Sequence, residues 1–189
     1  FNFGTLTVTS STISGNTATG TYGGGITHYN GNLSILDSEI SENSSLREGG
    51  GIKIQQGLVT ISNTLIIGNS SNNGGGIFKY MGSVTITNST ISGNTATNQG
   101  GGIYNYTSAS FLTLINSIVS SNYAGNIYGY EISSSSANNL IDVNPGFVCP
   151  ILLDSNGKII NKDTMDLHLR SDSIAIDKGD NTAATDIEM

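Results

Sequence analysis

Residues 91–103 read ISGNTATNQGGGI and carry two markers, Ile-x-x-Asn at 91–94 and Gly-Gly-Gly-Ile at 100–103. Both markers return about every 26 residues along the chain. The glycine marker also occurs at Gly23–Ile26, Gly49–Ile52 and Gly74–Ile77. The asparagine marker also occurs, with substitutions, at Ile13–Asn16, Ile40–Asn43, Ile66–Asn69 and Val119–Asn122. An internal repeat of this length is typical of solenoid proteins, in which each copy stacks on the next.

Two columns of aliphatic residues precede the asparagine of every copy. They contain Leu6, Leu33, Val59, Val84 and Leu112, and then Val8, Ile35, Ile61, Ile86 and Leu114. Because the columns are two residues apart, they indicate a strand with one buried face. The isoleucine of each marker begins a further strand, so each copy has about three short strands and no helical period. Too few residues are present to close a core within one copy, and we expect parallel stacking at about 4.8 Å.

The sequence therefore predicts an all-β fold, a right-handed parallel β-helix of about five coils over residues 1–132. Gly31, Gly57 and Gly82 are expected at corners that need a positive φ. The repeated asparagines are predicted to superpose and to hydrogen-bond along the stack, with a binding role as the alternative. The stretch between each asparagine and the glycine run varies in length, which indicates an outward loop and a second candidate surface.

Composition and charge argue against several classes of binding partner. The chain has 189 residues, of which 11% are charged, and its net charge is −7 with only 7 Lys and Arg. This balance argues against binding to nucleic acid or to an anionic membrane, since both need a cationic surface. No apolar run is long enough for a membrane span. The single cysteine permits no internal disulfide.

The GGGI and IxxN markers resemble the GGA[ILV] and FxxN repeats of polymorphic outer-membrane and adhesin-type β-helix proteins, with Ile or Val where that family often has Phe. The resemblance covers roughly residues 1–130. It implies a β-helix displayed outside the cell, at a bacterial-type cell surface or outer membrane. It says little about a specific activity.

Residues 133–189 differ from the repeats, since nine of the 14 acidic residues lie from Asp142 onward. The stretches 138–147 and 166–180 resemble the choice-of-anchor region of bacterial surface proteins, although Ile174 replaces the usual proline of SPAIDxG. We expect this tail to cap the last coil, with a hairpin around Asn156 and Gly157. Since Phe1 enters a repeat strand almost directly, we expect the chain to be part of a longer secreted protein and its open end to allow end-to-end self-association.

Candidate catalytic residues are few. Asp37 and Glu39 are expected two apart on one strand and are candidates for an acid and base that flank a glycosidic bond. The alternative is a solvated polar corner, because Asp37 occupies a column that is polar in the other copies. His28 and His168 are expected at the surface or in the cap, and Cys149 is expected to be an incidental thiol.

No cofactor is expected, and calcium is only weakly indicated. Asp172, Asp177, Asp180 and Asp186 supply the hard oxygen ligands that calcium prefers, but their spacing does not match a 12-residue calcium loop. We therefore predict no metal site.

Aromatic residues form two columns, one and three positions after the isoleucine of the glycine marker. The members are Tyr29, Phe78, Tyr80, Tyr104, Tyr106, Tyr128 and Tyr130. If the isoleucine points inward, both columns point outward. Such rings suit contact with a sugar or a protein, and the alternative is stacking that only strengthens the sheet. The residues between the columns, which include His28, Lys79 and Asn105, are a poor set for a core.

The sequence thus predicts a non-catalytic, extracellular or surface-displayed protein that binds a glycan or a surface protein through an outer sheet face. One alternative is a polysaccharide lyase or glycosidase. Another is a structural component of a surface layer or filament.

Overall fold

Each repeat forms one coil of a parallel β-solenoid in a computed structural model of the chain. The structure describes residues 1–143, 147–149, 152, 154, 155, 160, 161, 166–169 and 171. This part of the chain contains no helix, and its coils number about five with about 26 residues each. The predicted all-β parallel solenoid is therefore confirmed. No segment of the described part could cross a membrane as a helix.

Four parallel sheets run along the solenoid. Sheet 1 contains Leu6–Thr9, Asn32–Leu36, Leu58–Ser62, Ser83–Thr87 and Leu112–Ile115. Sheet 2 contains Thr12–Ser14, Glu39–Ser41, Leu65–Ile67, Thr90–Ser92, Ile118–Ser120 and Leu140–Ile141. Sheet 3 contains Thr17–Ala18, Ser44–Ser45, Ser70–Asn73 and Thr95–Gln99. Sheet 4 contains Ile26–His28, Ile52–Ile54, Ile77–Lys79, Ile103–Asn105 and Ile127–Gly129.

The aliphatic columns fill the inside of the solenoid. In sheet 1, Leu33 pairs with Val59 and Ile35 pairs with Ile61, each in register with the next coil. All four side chains are at most 1% exposed. The isoleucines of both markers complete the same core, with Ile40, Ile66 and Ile91 from sheet 2 and Ile52, Ile77 and Ile103 from sheet 4. The burial of apolar surface in every coil is the main stabilising contribution to this fold.

The prediction of three strands per coil was wrong, because the stretch after the asparagine also forms a strand in four of the copies. This stretch was expected to be an outward loop, yet Ser70 pairs with both Ser44 and Thr95 in sheet 3. Its residues are small and polar, so the sequence shows no column of large aliphatic residues there. A strand forms because the neighbouring coils offer unpaired backbone groups on both sides.

The predicted asparagine ladder is confirmed. The amide nitrogen Nδ2 of each asparagine donates to Oδ1 of the next one, over 2.9 Å from Asn16 to Asn43 and 3.0 Å from Asn43 to Asn69. The ladder continues to Asn94 and Asn122 over 3.0 Å at each step. Each Oδ1 also accepts the backbone N–H of the preceding asparagine, as Oδ1 of Asn69 does from Asn43. The middle three side chains are fully buried and have their hydrogen bonds satisfied.

The glycine run lies against this ladder. A Cβ on Gly51 would lie 2.7 Å from the carbonyl oxygen of Gly76 and 3.2 Å from Cγ of Asn69. The triple glycine is therefore required by close packing between coils. The predicted corner glycines are also confirmed, since Gly31, Gly57 and Gly82 have φ of 93°, 103° and 90°.

The solenoid continues into the tail. Leu140–Ile141 pairs with Ile118–Ser120 in sheet 2, and Asn126 extends the asparagine ladder to Oδ1 of Asp142 over 2.7 Å. Phe147–Cys149 and Asp166–Leu169 form an antiparallel pair. The expected hairpin turn at 156–157 and the aspartates at 172, 177, 180 and 186 lie outside the described residues.

Replacing Asn69 by Ala is expected to lower the free energy of unfolding by about 3–4 kcal/mol, because four hydrogen bonds of a buried side chain are lost. Denaturation in guanidinium chloride measures the loss. The exposed Asn72→Ala is the control and should cost less than about 1 kcal/mol. Equal effects of the two substitutions would contradict the ladder's contribution.

Gly51→Ala is expected to destabilise the chain by at least about 2 kcal/mol, because the new methyl group meets the backbone of the next coil. Gly4→Ala is the matched control, since a Cβ at Gly4 has open space around it. Thermal unfolding followed by circular dichroism compares the two variants. A Gly51→Ala variant as stable as the wild type would show that the coils are not in close contact there.

Candidate functional site

The aromatic residues gather on the outer side of sheet 4. In four of the five strands the first isoleucine is buried in the core, and Ile127 of the last strand packs partly buried against it, so the next residue points outward. Tyr104 is paired in register with Phe78 on one side and with Tyr128 on the other. We call the patch formed by Phe78, Tyr80, Tyr104, Tyr106, Tyr128 and Tyr130 the tyrosine face.

Five rings of the tyrosine face contact one another from coil to coil, namely those of Phe78, Tyr80, Tyr104, Tyr106 and Tyr128. The centroid of Tyr104 lies 5.3 Å from that of Phe78 and 5.2 Å from that of Tyr128, both in edge-on geometry. Tyr80 and Tyr106 are stacked at 5.1 Å with an angle of 23° between their planes. Aromatic pairs at these distances attract one another, so the rings hold a defined arrangement.

Exposure differs across the tyrosine face. Tyr106, Tyr128 and Tyr130 are 47%, 44% and 52% exposed. Phe78 lies in the predicted outward column but is only 2% exposed, with the rings of Tyr104 and Tyr106 beside it. Phe78 is therefore packed underneath the tyrosine rings, and the tyrosines form the surface of the face.

The phenolic hydroxyls of the tyrosine face have no hydrogen-bond partner within the described residues. Burial, with smaller contributions from Tyr128, Tyr106 and Glu48, raises the pKa of Tyr104 above its usual value. The Tyr104 hydroxyl therefore stays protonated at neutral pH and can both donate and accept a hydrogen bond. The face combines apolar rings with free hydroxyl groups, which suits a ligand that is itself amphipathic.

The residues between the two columns point into the solenoid. His28, Ile54, Lys79 and Asn105 are at most 1% exposed. The expectation of a surface or cap position for His28 was wrong: its Nδ1 lies 3.0 Å from Nδ2 of Asn2, and burial lowers its pKa. Polar residues are accepted here because the interior supplies hydrogen-bond partners for them.

Lys79 connects this interior column to the tyrosine face. Its Nζ donates to Oδ1 of Asn105 at 3.0 Å, and to the carbonyl oxygen and Oγ of Ser110 at 3.2 and 3.1 Å. Ser110 lies in the loop between Tyr106 and the sheet 1 strand that begins at Leu112, so the ammonium group holds this loop in place. Burial lowers the pKa of Lys79 to about 8.

Tyr29 does not touch the tyrosine face. It stacks on Phe3 at 4.9 Å and lies 5.7 Å from Phe1, which also contacts Tyr22 at 4.6 Å. We call Phe1, Phe3, Tyr22 and Tyr29 the N-terminal aromatic cluster. Sequence reasoning missed both phenylalanines, although the pattern Phe-Asn-Phe at 1–3 matches Tyr-Asn-Tyr at 104–106.

Asp37 and Glu39 line a groove of about 490 Å³ at the corner between sheets 1 and 2. Asp37 adopts a left-handed backbone with φ of 49°, and its Oδ1 accepts a hydrogen bond from Nδ2 of Asn63 at 3.1 Å. The same left-handed corner recurs at Ser10, Asn63, Asn88 and Asn116. Asp37 thus fits the turn geometry of its column, and a catalytic role for the pair stays a prediction. Among the described residues, no group of His, Cys, Asp and Glu is placed to hold a metal ion.

The free energy of unfolding of the wild type is expected to rise, relative to Lys79→Ile, as the pH increases from about 8 towards 10.5. The folded chain lowers the pKa of Lys79, so its charged form is disfavoured, and that cost disappears when the amine loses its proton. The relative gain is up to about 3 kcal/mol, measured by denaturation at a series of pH values. Parallel pH profiles of the two proteins would contradict this prediction.

Residues 88–106 match the family model of the Chlamydia polymorphic membrane protein repeat. The match contains both markers of one copy together with Tyr104 and Tyr106. No curated protein and no solved structure matches the chain significantly. The predicted resemblance of the repeats is confirmed, whereas the anchor-like character of residues 133–189 stays a prediction. The chain is a parallel β-solenoid that carries a repeat of the polymorphic membrane protein type.

Proposed function

We propose that the chain is a surface-displayed, non-catalytic binding protein that contacts carbohydrate through the tyrosine face. The matched repeat belongs to membrane proteins, which supports a location at a bacterial outer membrane or cell surface. The solenoid supplies a rigid support, because every strand of sheet 4 is hydrogen-bonded to its neighbouring coils. Such a support suits adhesion, since the binding groups are ordered before the ligand arrives.

This proposal is based on the arrangement of the aromatic rings in the tyrosine face. Two of its exposed tyrosines, Tyr106 and Tyr128, lie at centroid distances of 5.1–5.9 Å from neighbouring rings, and Tyr130 adds a third exposed ring at the end of the face. Ordering flexible side chains on binding is costly, and the contacts between these rings reduce that cost. Apolar rings with free hydroxyls complement the C–H faces and hydroxyl groups of a sugar.

Charge argues against an ionic partner such as nucleic acid. Lys53 is the only charged residue in the two outward columns of sheet 4, and its Nζ lies 2.8 Å from a carboxylate oxygen of Glu48. The ion pair leaves no free charge in these columns to attract an ionic partner. Binding to a surface protein is the alternative, and it predicts no affinity for any sugar.

Combined replacement of Tyr80, Tyr104 and Tyr106 by Ala is expected to lower glycan affinity at least about hundredfold, because three central rings are removed. A microarray of neutral and acidic oligosaccharides identifies the sugar bound by the wild type, and isothermal titration calorimetry measures the affinities. The matched control is Tyr123→Ala, since Tyr123 is 45% exposed and lies outside sheet 4.

Circular dichroism checks that the triple variant keeps its strands, which is expected because the interior residues are unchanged. A folded triple variant that binds the sugar as tightly as the wild type would disprove the role of the face. A wild type that binds no sugar on the array would disprove the carbohydrate proposal itself.

A further inference from the structure

The outer side of sheet 4 extends beyond the tyrosine face to the first residues of the chain. Asn2 pairs with His28 in parallel, its backbone N–H donates to the carbonyl oxygen of Thr27 at 2.9 Å, and its carbonyl oxygen accepts from the N–H of Tyr29 at 2.8 Å. Residues 1–3 therefore occupy the place of a sheet 4 strand in a preceding coil. In this register Phe1 precedes Thr27 in one outward column, and Phe3 precedes Tyr29 in the other.

Both aromatic clusters consequently lie on the outer side of sheet 4. The N-terminal aromatic cluster and the tyrosine face are separated by Lys53 and Gln55, which occupy the outward columns of the strand between them. From residues 1–3 to Ile127–Gly129 the surface has six strands, so it is about 24 Å long at 4.8 Å per step. The rings of Phe1 and Phe3 lie in the outward columns and stack on Tyr29 at 5.7 and 4.9 Å.

The chemistry of this surface indicates the shape of its ligand. The aromatic groups repeat along one axis at the spacing of the coils, so a ligand that reaches several of them must also be extended and repetitive. Between the two clusters, the positive charge of Lys53 is neutralised by its ion pair with Glu48, so Lys53 offers no free cation to an anionic polymer. A linear, uncharged, β-linked glycan has both properties, because its sugars follow one another along a line and carry no ionic group.

We propose that one linear neutral glycan lies along the solenoid axis and contacts both aromatic clusters at once. This proposal rests on the proposed function of the tyrosine face and extends it to the N-terminal aromatic cluster. Simultaneous contact gives a long glycan an advantage over a short one, because the second contact is made within an existing complex.

Isothermal titration calorimetry with cello- and chito-oligosaccharides from dimer to octamer tests this arrangement on the full chain. For the wild type, the affinity should rise steeply at the length that first reaches both clusters. The double variant Phe1→Ala with Phe3→Ala should bind the longest oligosaccharides at least about tenfold more weakly, while its affinity for the shortest ones is unchanged. Oligogalacturonates of equal length should bind more weakly than the neutral chains.

Two further variants serve as controls for this experiment. Phe1→Tyr with Phe3→Tyr retains both rings and should keep the wild-type length dependence. Phe111→Ala removes a ring that is 69% exposed but lies outside sheet 4, and it should change nothing. If the double Ala variant equals the wild type at every length while the triple tyrosine variant has lost binding, the extended surface is disproved and the tyrosine face is kept. If the triple tyrosine variant also equals the wild type, the proposed function itself is disproved.

Discussion

The hydrogen-bonded column of buried asparagines sets the stacking of the coils. Every Asn in its middle donates from Nδ2 to the next Asn and to a backbone carbonyl of the preceding coil, as Asn69 does to Asn94 and to Ile40. Since a missing partner inside the protein is costly, only one register of coil on coil satisfies all of these groups. The column requires backbone in close contact with it, which explains the glycine run. It also has a direction, and its last acceptor is the carboxylate of Asp142, which accepts a hydrogen bond from Nδ2 of Asn126 and donates none.

The aromatic surface follows from this register. Once the coils are fixed one above another, the residue after each marker isoleucine lies directly over its equivalent in the next coil. The fold does not demand an aromatic residue in that column, because Thr27 and Lys53 occupy it in other coils. Ring stacking therefore adds to a sheet that already forms without it. This independence favours a role in binding for the rings, since the core and the asparagine column are enough to hold the solenoid.

Much of the fold could be predicted from the sequence, because a solenoid repeats each structural requirement in every copy. The aliphatic columns, the asparagine column and the corner glycines are each visible in several coils. The fourth strand could not be predicted, since it is formed by small polar residues such as Ser44 and Ser70, whose pairing depends on the neighbouring coils. The burial of His28 and Lys79 could not be predicted from the sequence either, because their hydrogen-bond partners, Asn2 and Ser110, belong to distant segments. Phe1 and Phe3 precede the first complete copy, so they were not aligned with the aromatic columns.

A rigid repeating surface constrains its ligand more than a flexible one does. The rings of Tyr80 and Tyr106 stack on each other, and Nζ of Lys79 binds the loop after Tyr106, so these groups are ordered before a ligand arrives. Affinity must then come from a ligand whose own repeat places apolar faces at successive coils. Lys53 and Gln55 separate the two aromatic clusters, so a short ligand can contact only one cluster, whereas an extended ligand can contact both. Because linked contacts multiply rather than add in the equilibrium constant, a surface that binds through both clusters would distinguish polymers from their fragments by length.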